Sequence, residues 1–372
     1  MPKQHAYNPL YALNAICPYF TMFPLEYPFK VLKRFRRTNP VVFDPFCGRG
    51  TTIYAAREMG LSSWGIDSSP IAVAIAKAKL ASASLEEVLS LAETLILTTD
   101  SNTPETEFFN FAYSNSTLKQ LCSLREGLMK LPVETDASVL LRAATLGCLH
   151  GPLSKTTVGA AYFSNQMPRT FSTKPDYSVK YWKKNNLIPP NIGVIDVLRR
   201  KLSRIKGLGN LEVGNHRQII LSDSRLTTSY KNISEDISLV ITSPPYYGMR
   251  TYIQDHWLRM WFLGGPSNVD YSNDTQIDHN GKENFIKSLS QVWKNISSSK
   301  ADDLHLFIRL GSLNSARSNP KEILRSSIEN VGGLKLVSVR NANDAHAGKR
   351  QADQMVSGTQ AAQEFDFHVV RT

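Results

Sequence analysis

The stretch Val41-Val-Phe-Asp-Pro-Phe-Cys-Gly-Arg-Gly-Thr-Thr52 limits the possible folds of this chain more than any other. Val41 to Phe43 reads as a short buried strand, and Asp44 ends it. Gly48-Arg49-Gly50 turns the backbone into a helix over Ile53 to Met59, with Thr51 or Thr52 near its start. Paired glycines let a turn tighten and bring amides close to a ligand. Ser63-Trp-Gly-Ile-Asp67 follows as a second strand ending in an acid. Ser69-Pro70 then opens a helix to about Ala83, since proline suits a first helical turn. Strand, glycine turn, helix and strand form the opening unit of a parallel α/β sheet. Ligands of such sheets collect at the carboxyl ends of the strands.

The acid at the tip of the second strand is suited to accept hydrogen bonds from two ribose hydroxyls. The dinucleotide fingerprint GxGxxG is absent, because Ile53 stands where its third glycine belongs. That argues against NAD and FAD. A cofactor with a ribose and no pyrophosphate suits the shorter turn, and S-adenosylmethionine is the candidate. Further along, Arg217-Gln-Ile-Ile-Leu-Ser-Asp-Ser-Arg225 returns to strand pattern, with Asp223 at its end. Ile237 to Ile241 is the next strand, and it runs into Ser243-Pro244-Pro245-Tyr246. Two prolines fix φ and remove two donors, which leaves the preceding carbonyls free to accept. A hydroxyl, free carbonyls and an aromatic ring at a strand end make a cradle for a planar base bearing an amine; in isolation the same corner is an ordinary proline turn. Asp303 to Leu310, Leu334 to Arg340 and Phe365 to Val370 read as later strands, the last two paired at a sheet edge. Tyr252 to Phe262, Asn284 to Ile296 and Ile323 to Asn330 read as helices between them.

Charge bears on the partner. The chain of 372 residues carries a formal +11, and most of that excess falls between Lys155 and Lys206, with eleven basic residues against two acidic ones. Within it, Tyr162 to Trp182 interleaves aromatic, hydroxyl, amide and cationic side chains, a texture suited to phosphates and base edges. A solvated insertion is the plainer reading of the same stretch. Lys30, Lys33, Arg34, Arg36 and Arg37 form a second basic cluster. Residues 1–30 are dense in aromatic residues and proline, an apolar collar or a wall of a cofactor pocket. No apolar run approaches a membrane span, and no secretory leader pattern opens the chain. Cys17, Cys47, Cys122 and Cys148 are far apart, which argues for a reducing compartment with neither a zinc site nor a disulfide framework. The expected setting is a reducing cytoplasm, with a monomer as the working unit.

These residues resemble the S-adenosylmethionine-dependent DNA amino-methyltransferases, in particular the cytosine-N4 type of restriction-modification systems. Thr242-Ser-Pro-Pro-Tyr246 resembles their catalytic motif in its cytosine spelling; adenine-N6 enzymes usually carry Asp or Asn where Ser243 stands. Asp44-Pro45-Phe46-Cys47-Gly48-Arg49-Gly50, with Thr51, is similar to the cofactor loop. Asp67, with Ser68 beside it, is similar to the ribose acid, and Asp223 to the acid near the adenine ring. Pro18 to Phe29, with Tyr19 and Phe20, resembles the aromatic segment completing the cofactor pocket. Gly348-Lys349-Arg350-Gln351 and the final strand resemble the hairpin beside the target base. The resemblance covers roughly residues 1–80 and 215–372. It implies a Rossmann-like class I methyltransferase fold, a mostly parallel seven-stranded sheet with an antiparallel edge hairpin. Residues 1–97 would form the cofactor half, 98–214 a mainly helical, basic target-recognition insertion, and 215–372 the catalytic half. The cofactor loop precedes the catalytic corner here, one of the circularly permuted orders of the family.

The implied reaction is methyl transfer to the N4 amine of a cytosine flipped out of duplex DNA, protecting sites against a cognate restriction endonuclease. Adenine-N6 of DNA, or guanine-N2 of RNA, whose enzymes share the DPFCGxG spelling, is the alternative target. Tyr246 would stack on the base, while the Ser243 hydroxyl and the Pro244 carbonyl hold the amino hydrogens. A C5 route needs a nucleophilic cysteine, commonly in a Pro-Cys pair, and this chain has only the reversed Cys17-Pro18 and the loop Cys47. Arg169, Lys174, Lys180, Lys183, Lys184, Lys349 and Arg350 are the expected DNA contacts. Neutralising Arg169, Lys174, Lys183 and Lys184 together should weaken DNA binding. It should also flatten the dependence of log K on log salt by about 0.9 for each phosphate that the variant no longer neutralises. A wild-type slope, measured by fluorescence anisotropy across a salt series, would move the DNA surface elsewhere.

Overall fold

A computed structural model describes residues 9–19, 24–151, 159–166, 174–205, 217–248, 253–269, 281–313, 318–342 and 361–372. Its strands are β1 Val42–Asp44, β2 Ser63–Asp67, β3 Arg217–Leu221, β4 Leu239–Thr242, β5 His305–Leu313, β6 Leu334–Asn341 and β7 Ala361–Arg371. They form one seven-stranded sheet in the order β3-β2-β1-β4-β5-β7-β6. All neighbours from β3 to β5 are parallel, while β7 runs antiparallel to both β5 and β6. This is the Rossmann-like class I methyltransferase fold, with a parallel sheet, an antiparallel edge pair and added helices. The order reverses between β1 and β4, so the carboxyl ends of β2, β1 and β4 meet at the switch point where such sheets take ligands.

The helices are α1 Glu26–Phe35, α2 Thr51–Glu58, α3 Pro70–Ala78, α4 Leu85–Thr98, α5 Glu107–Ala112 and α6 Asn115–Lys130. Then come α7 Asp136–Cys148, α8 Pro175–Lys184, α9 Val194–Leu202, α10 Ile253–Phe262, α11 Lys282–Ser297 and α12 Pro320–Glu329. One apolar core joins α1, α2 and α3 to the helices α4 to α9 and to α10. A second joins α11 and α12 to the other face of the sheet. α3 ends at Ala78 rather than at Ala83, because Ser84 must be extended to cap α4 through a reciprocal pair of bonds with Glu87. Lys79 is buried just past its end, and burial pushes its pKa well down. Its Nζ donates to Asn14 Oδ1 at 2.6 Å, tying the N-terminal segment to the body.

Two regions depart from the sequence reading. Residues 26–35, read as the end of an aromatic collar and the start of a basic cluster, form α1, which buries Tyr27, Pro28, Val31 and Leu32. Lys30, Lys33 and Arg34 lie on its exposed side, continued by Arg36 and Arg37 in a short 3-10 turn. In the interleaved stretch, Phe163 and Trp182 are core residues, and the Trp182 indole donates to the Gln166 carbonyl at 2.6 Å. These rings offer no face to a base. Helical periodicity between Pro175 and Lys184 puts Ser178, Val179 and Trp182 on the buried side and Lys180, Lys183 and Lys184 outside. Among the described residues no helix is long and apolar enough to cross a membrane.

Candidate active site

The site is built from the ends of β1, β2 and β4. Beyond Asp44 the chain makes the turn Pro45 to Gly50, with Gly48 at φ 50° and Gly50 at φ 75°. At Gly50 a Cβ would also fall 2.9 Å from the Cβ of Ala76, so only glycine lets this turn pack on α3. The Gly48 amide donates to Asp67 Oδ2 at 2.8 Å, and the Ser69 amide to Oδ1 at 2.9 Å. Burial raises the pKa of Asp67, and those two amides oppose the shift. Asp67 is half-buried and Ser68 exposed. Thr51, the first residue of α2, is buried, with an Oγ1 that has no hydrogen-bond partner among the described residues.

The proline corner is joined directly to this turn. Thr242 Oγ1 donates to Asp44 Oδ1 at 2.6 Å, and Thr52 Oγ1 donates to the Ile241 carbonyl at 2.9 Å. The Phe46 amide also donates to Asp44 Oδ1, at 3.1 Å. Asp44 is 1% exposed, so its carboxylate braces the turn against β4 from inside the protein. Burial pushes its pKa up to about 7, with the Thr242, Thr52 and Phe46 bonds opposing. Ser243 and Pro245 are half-buried and Pro244 is buried.

Tyr246 differs from its expected form as an open stacking platform. It is 8% exposed, and its hydroxyl donates to Glu364 Oε1 at 2.9 Å. Its pKa is raised by burial first and then by the Glu364 charge. The ring lies against Gly311 of β5, where a Cβ would come 2.7 Å from Tyr246 Cε2 and 2.8 Å from the Gln363 carbonyl. Two residues back on β5, Arg309 forms a two-pronged pair with Asp366 at 2.6 and 2.8 Å, and its guanidinium sits 4.1 Å from the Tyr27 ring centre. The corner is thus fixed from below by β5 and β7 and linked to α1.

On the other side, the Ser222 amide donates to the Asp67 carbonyl at 3.0 Å, and Ser224 Oγ bonds the Pro45 carbonyl. Asp223 is half-buried and gripped by Arg225 through contacts of 2.6 to 3.0 Å. Burial alone would raise its pKa, but the Arg225 bonds and charge hold it below the usual carboxylate value. Leu221 and Leu226 flank it, each 53% exposed. Tyr19 reaches in from the N-terminal segment, its hydroxyl donating to Ser69 Oγ at 3.3 Å. Pro45 is buried, and the half-buried Phe46 ring meets Trp293 edge-on.

The structure therefore gathers Tyr19, Asp44, Gly48, Gly50, Thr51, Asp67 and Asp223 at one sheet edge, with Ser243 to Tyr246 beside them. Lys174, at the start of α8, is half-buried, while Lys180 and Lys184 are exposed. Lys183 is paired with Glu107 and lies 5.9 Å from the Phe111 ring centre. Phe20, Arg169, Lys349 and Arg350 lie outside the described residues. Sequence reasoning missed the bracing roles of Thr52, Thr242, Gly311 and Glu364. Each depends on a neighbour from a distant segment, and only the position of Thr242 directly before Ser243 offered a clue. Cys47 is buried and its thiol pKa is pushed well up, which removes the thiolate a C5 mechanism needs.

Residues 3–78 match the model of a family described as DNA methylase. The type II methyltransferase M.MjaII of Methanocaldococcus jannaschii is 40% identical over 68 residues, which is 18% of this chain and 13% of that protein. The match thus spans a small part of that relative's length. Among solved structures, the rRNA methyltransferase aviRa of Streptomyces viridochromogenes aligns over 97% of this chain and 89% of its own, at 11% identity and a TM-score of 0.35. Magnesium protoporphyrin IX methyltransferase of Synechocystis aligns over 97% and 90%, at 10% identity and a TM-score of 0.34. These scores carry no argument about substrate. The strand order and the matched N-terminal segment make S-adenosyl-L-methionine the cofactor. The glycine turn, the paired amides on Asp67 and the unpartnered Thr51 hydroxyl fit it.

Two outcomes are expected. The folded-state pKa of Asp44, about 7, lies above the 3.8 of a free carboxylate. The folded state therefore favours the protonated acid, and this residue's contribution to stability declines as pH rises from about 4 to about 7. The Asp44→Asn variant should lack that decline, so its thermal midpoint should gain on wild type across the interval; parallel midpoints would refute the assignment. Gly311→Ala should cost about 1–3 kcal/mol by forcing Tyr246 or β7 aside. Urea unfolding checks this, and an unchanged midpoint would mean the contact is not tight.

Proposed function

We propose that this chain is an S-adenosylmethionine-dependent DNA amino-methyltransferase that methylates the N4 amine of cytosine. The observation that carries the reading is the bond between Asp44 and Thr242. It sets the cofactor turn and the Ser243-Pro-Pro-Tyr246 corner side by side, as a direct transfer from cofactor to base requires. The matched segment, residues 3–78, and the name of the M. jannaschii relative support DNA as the substrate. Serine at position 243 favours cytosine over adenine by resemblance to the cytosine-N4 spelling. The implied setting is site protection in a restriction-modification system, with an endonuclease of the same specificity as the partner.

When bound, the cofactor supplies an electrophilic methyl group on its sulfonium. The chain's own residues bind and align. Asp67 accepts from the ribose hydroxyls, with its two oxygens already oriented by the Gly48 and Ser69 amides. Asp223 and its exposed leucines receive the adenine. The target amine is a weak nucleophile because its lone pair is spread into the ring. Ser243 Oγ and the Pro244 carbonyl accept its hydrogens and turn the lone pair out of conjugation. Tyr246, locked by Glu364 and Gly311, is the fixed wall against which the extruded base lies. Fixed alignment of this kind accounts for much of the rate gain. The target must leave the helix to reach such a pocket. Lys174, Lys180 and Lys184, with Lys183 once released from Glu107, supply phosphate contacts.

Incubation of duplex DNA with labelled cofactor, followed by digestion and identification of the modified nucleoside, should give N4-methylcytosine. N6-methyladenine or N2-methylguanine in its place would overturn the cytosine assignment. Asp67→Ala should weaken cofactor binding by about 10-fold or more, the usual value of hydrogen bonds to a charged group. Unchanged affinity by calorimetry would remove Asp67 from the site.

A further inference from the structure

Beyond the sheet edge lies a cluster of buried polar side chains that the proposed reaction does not use. Arg259 and His256 are one turn apart on α10, 3% and 8% exposed. His150, just past the end of α7, is 3% exposed. The Tyr19 and His256 rings stand 5.5 Å apart, and the Tyr19 hydroxyl bonds Ser69, whose amide bonds Asp67. Among the described residues, Arg259 Nε and both ring nitrogens of His150 have no hydrogen-bond partner, and Arg259 forms no ion pair. The positive charge of Arg259 bears on Tyr19, His150, His256 and Tyr162. Burial first, then that charge, lowers both histidines, His256 to about 3, so the imidazoles are neutral.

A buried guanidinium with no counter-charge among the described residues is costly, and an anion that reached it would offset that cost. We propose that Arg259, His150 and Tyr19 form a receptor for a single carboxylate, that of the amino-acid end of S-adenosylmethionine. The inference rests on the reading that Asp67 holds the cofactor's ribose. One cation matches one carboxylate, and a neutral imidazole adds one donor. Tyr19 joins the two sites, since its hydroxyl feels the charges of both Asp67 and Arg259. Arg259 and His150 lie too deep to track a phosphodiester chain along the surface. α10 follows the Ser243 to Tyr246 corner in the chain, so a carboxylate held by Arg259 would also fix that helix.

The test compares calorimetric binding of S-adenosylmethionine with that of its decarboxylated analogue. Wild type should prefer the carboxylated form by at least about tenfold. Arg259→Met should erase that preference while binding the decarboxylated analogue within about twofold of wild type. Equal affinities in wild type, or a preference surviving in Arg259→Met, would overturn the assignment. The wild-type comparison decides the matter even where the variant does not fold. If wild type binds neither form, the cofactor reading itself fails, an outcome distinct from equal binding of both.

Discussion

The hydrogen bond from Thr242 to Asp44 is the constraint on which the site depends. Asp44 ends β1 and Thr242 ends β4, two strands almost two hundred residues apart in sequence and adjacent in the sheet. Their side chains meet inside the protein, where an unpaired polar group is expensive, so each needs the other. Thr52 adds a bond from the start of α2 to the Ile241 carbonyl. The glycine turn and the proline corner are thereby held as one rigid unit. The raised pKa of Asp44 follows from the same burial, and it marks the acid as a brace.

Around that unit the chain adds two supports of different kinds. On the β5 and β7 side the support is steric and ionic. Gly311 makes room for the Tyr246 ring, Glu364 takes its hydroxyl, and the Arg309–Asp366 pair carries the network to Tyr27 of α1. On the α3 side the inserted helices close over the N-terminal segment and α10. Phe108 and Phe109 of α5 pack on Trp257, and Arg125 of α6 donates to the Trp261 carbonyl at 2.7 Å. The insertion therefore buries α10, and burying α10 is what encloses Arg259 and His150. Packing far from the sheet thus encloses polar side chains next to it.

Much of the frame was legible in advance. Buried strands ending in Asp44 and Asp67, a further strand leading to Asp223, a glycine turn with no third glycine, and a proline corner suffice to order a parallel sheet and its ligand edge. Strand and helix bounds shifted by a few residues where capping decided them, as Ser84 does at the start of α4. The stretch near Trp182 stayed ambiguous in sequence because composition does not distinguish a ring that faces solvent, as Tyr177 does, from one that fills a core, as Phe163 and Trp182 do. α1 was hidden because Pro28 and its aromatic residues masked an amphipathic pattern that Tyr27, Val31 and Leu32 complete.

The sequence by itself determined which chemical groups stand at the strand ends, because strand, turn and helix propensities are local and the parallel order follows from them. It also determined the excess of positive charge. Tertiary structure alone decided what those groups do to one another. It made Asp44 a buried brace, turned Tyr246 from an open platform into a fixed wall, and left Arg259 enclosed beside the Tyr19–Ser69 contact. Each of these depends on burial and on what distant segments place nearby. Neither can be read from neighbours in the chain, since the free energy of a polar group is set by what surrounds it in space.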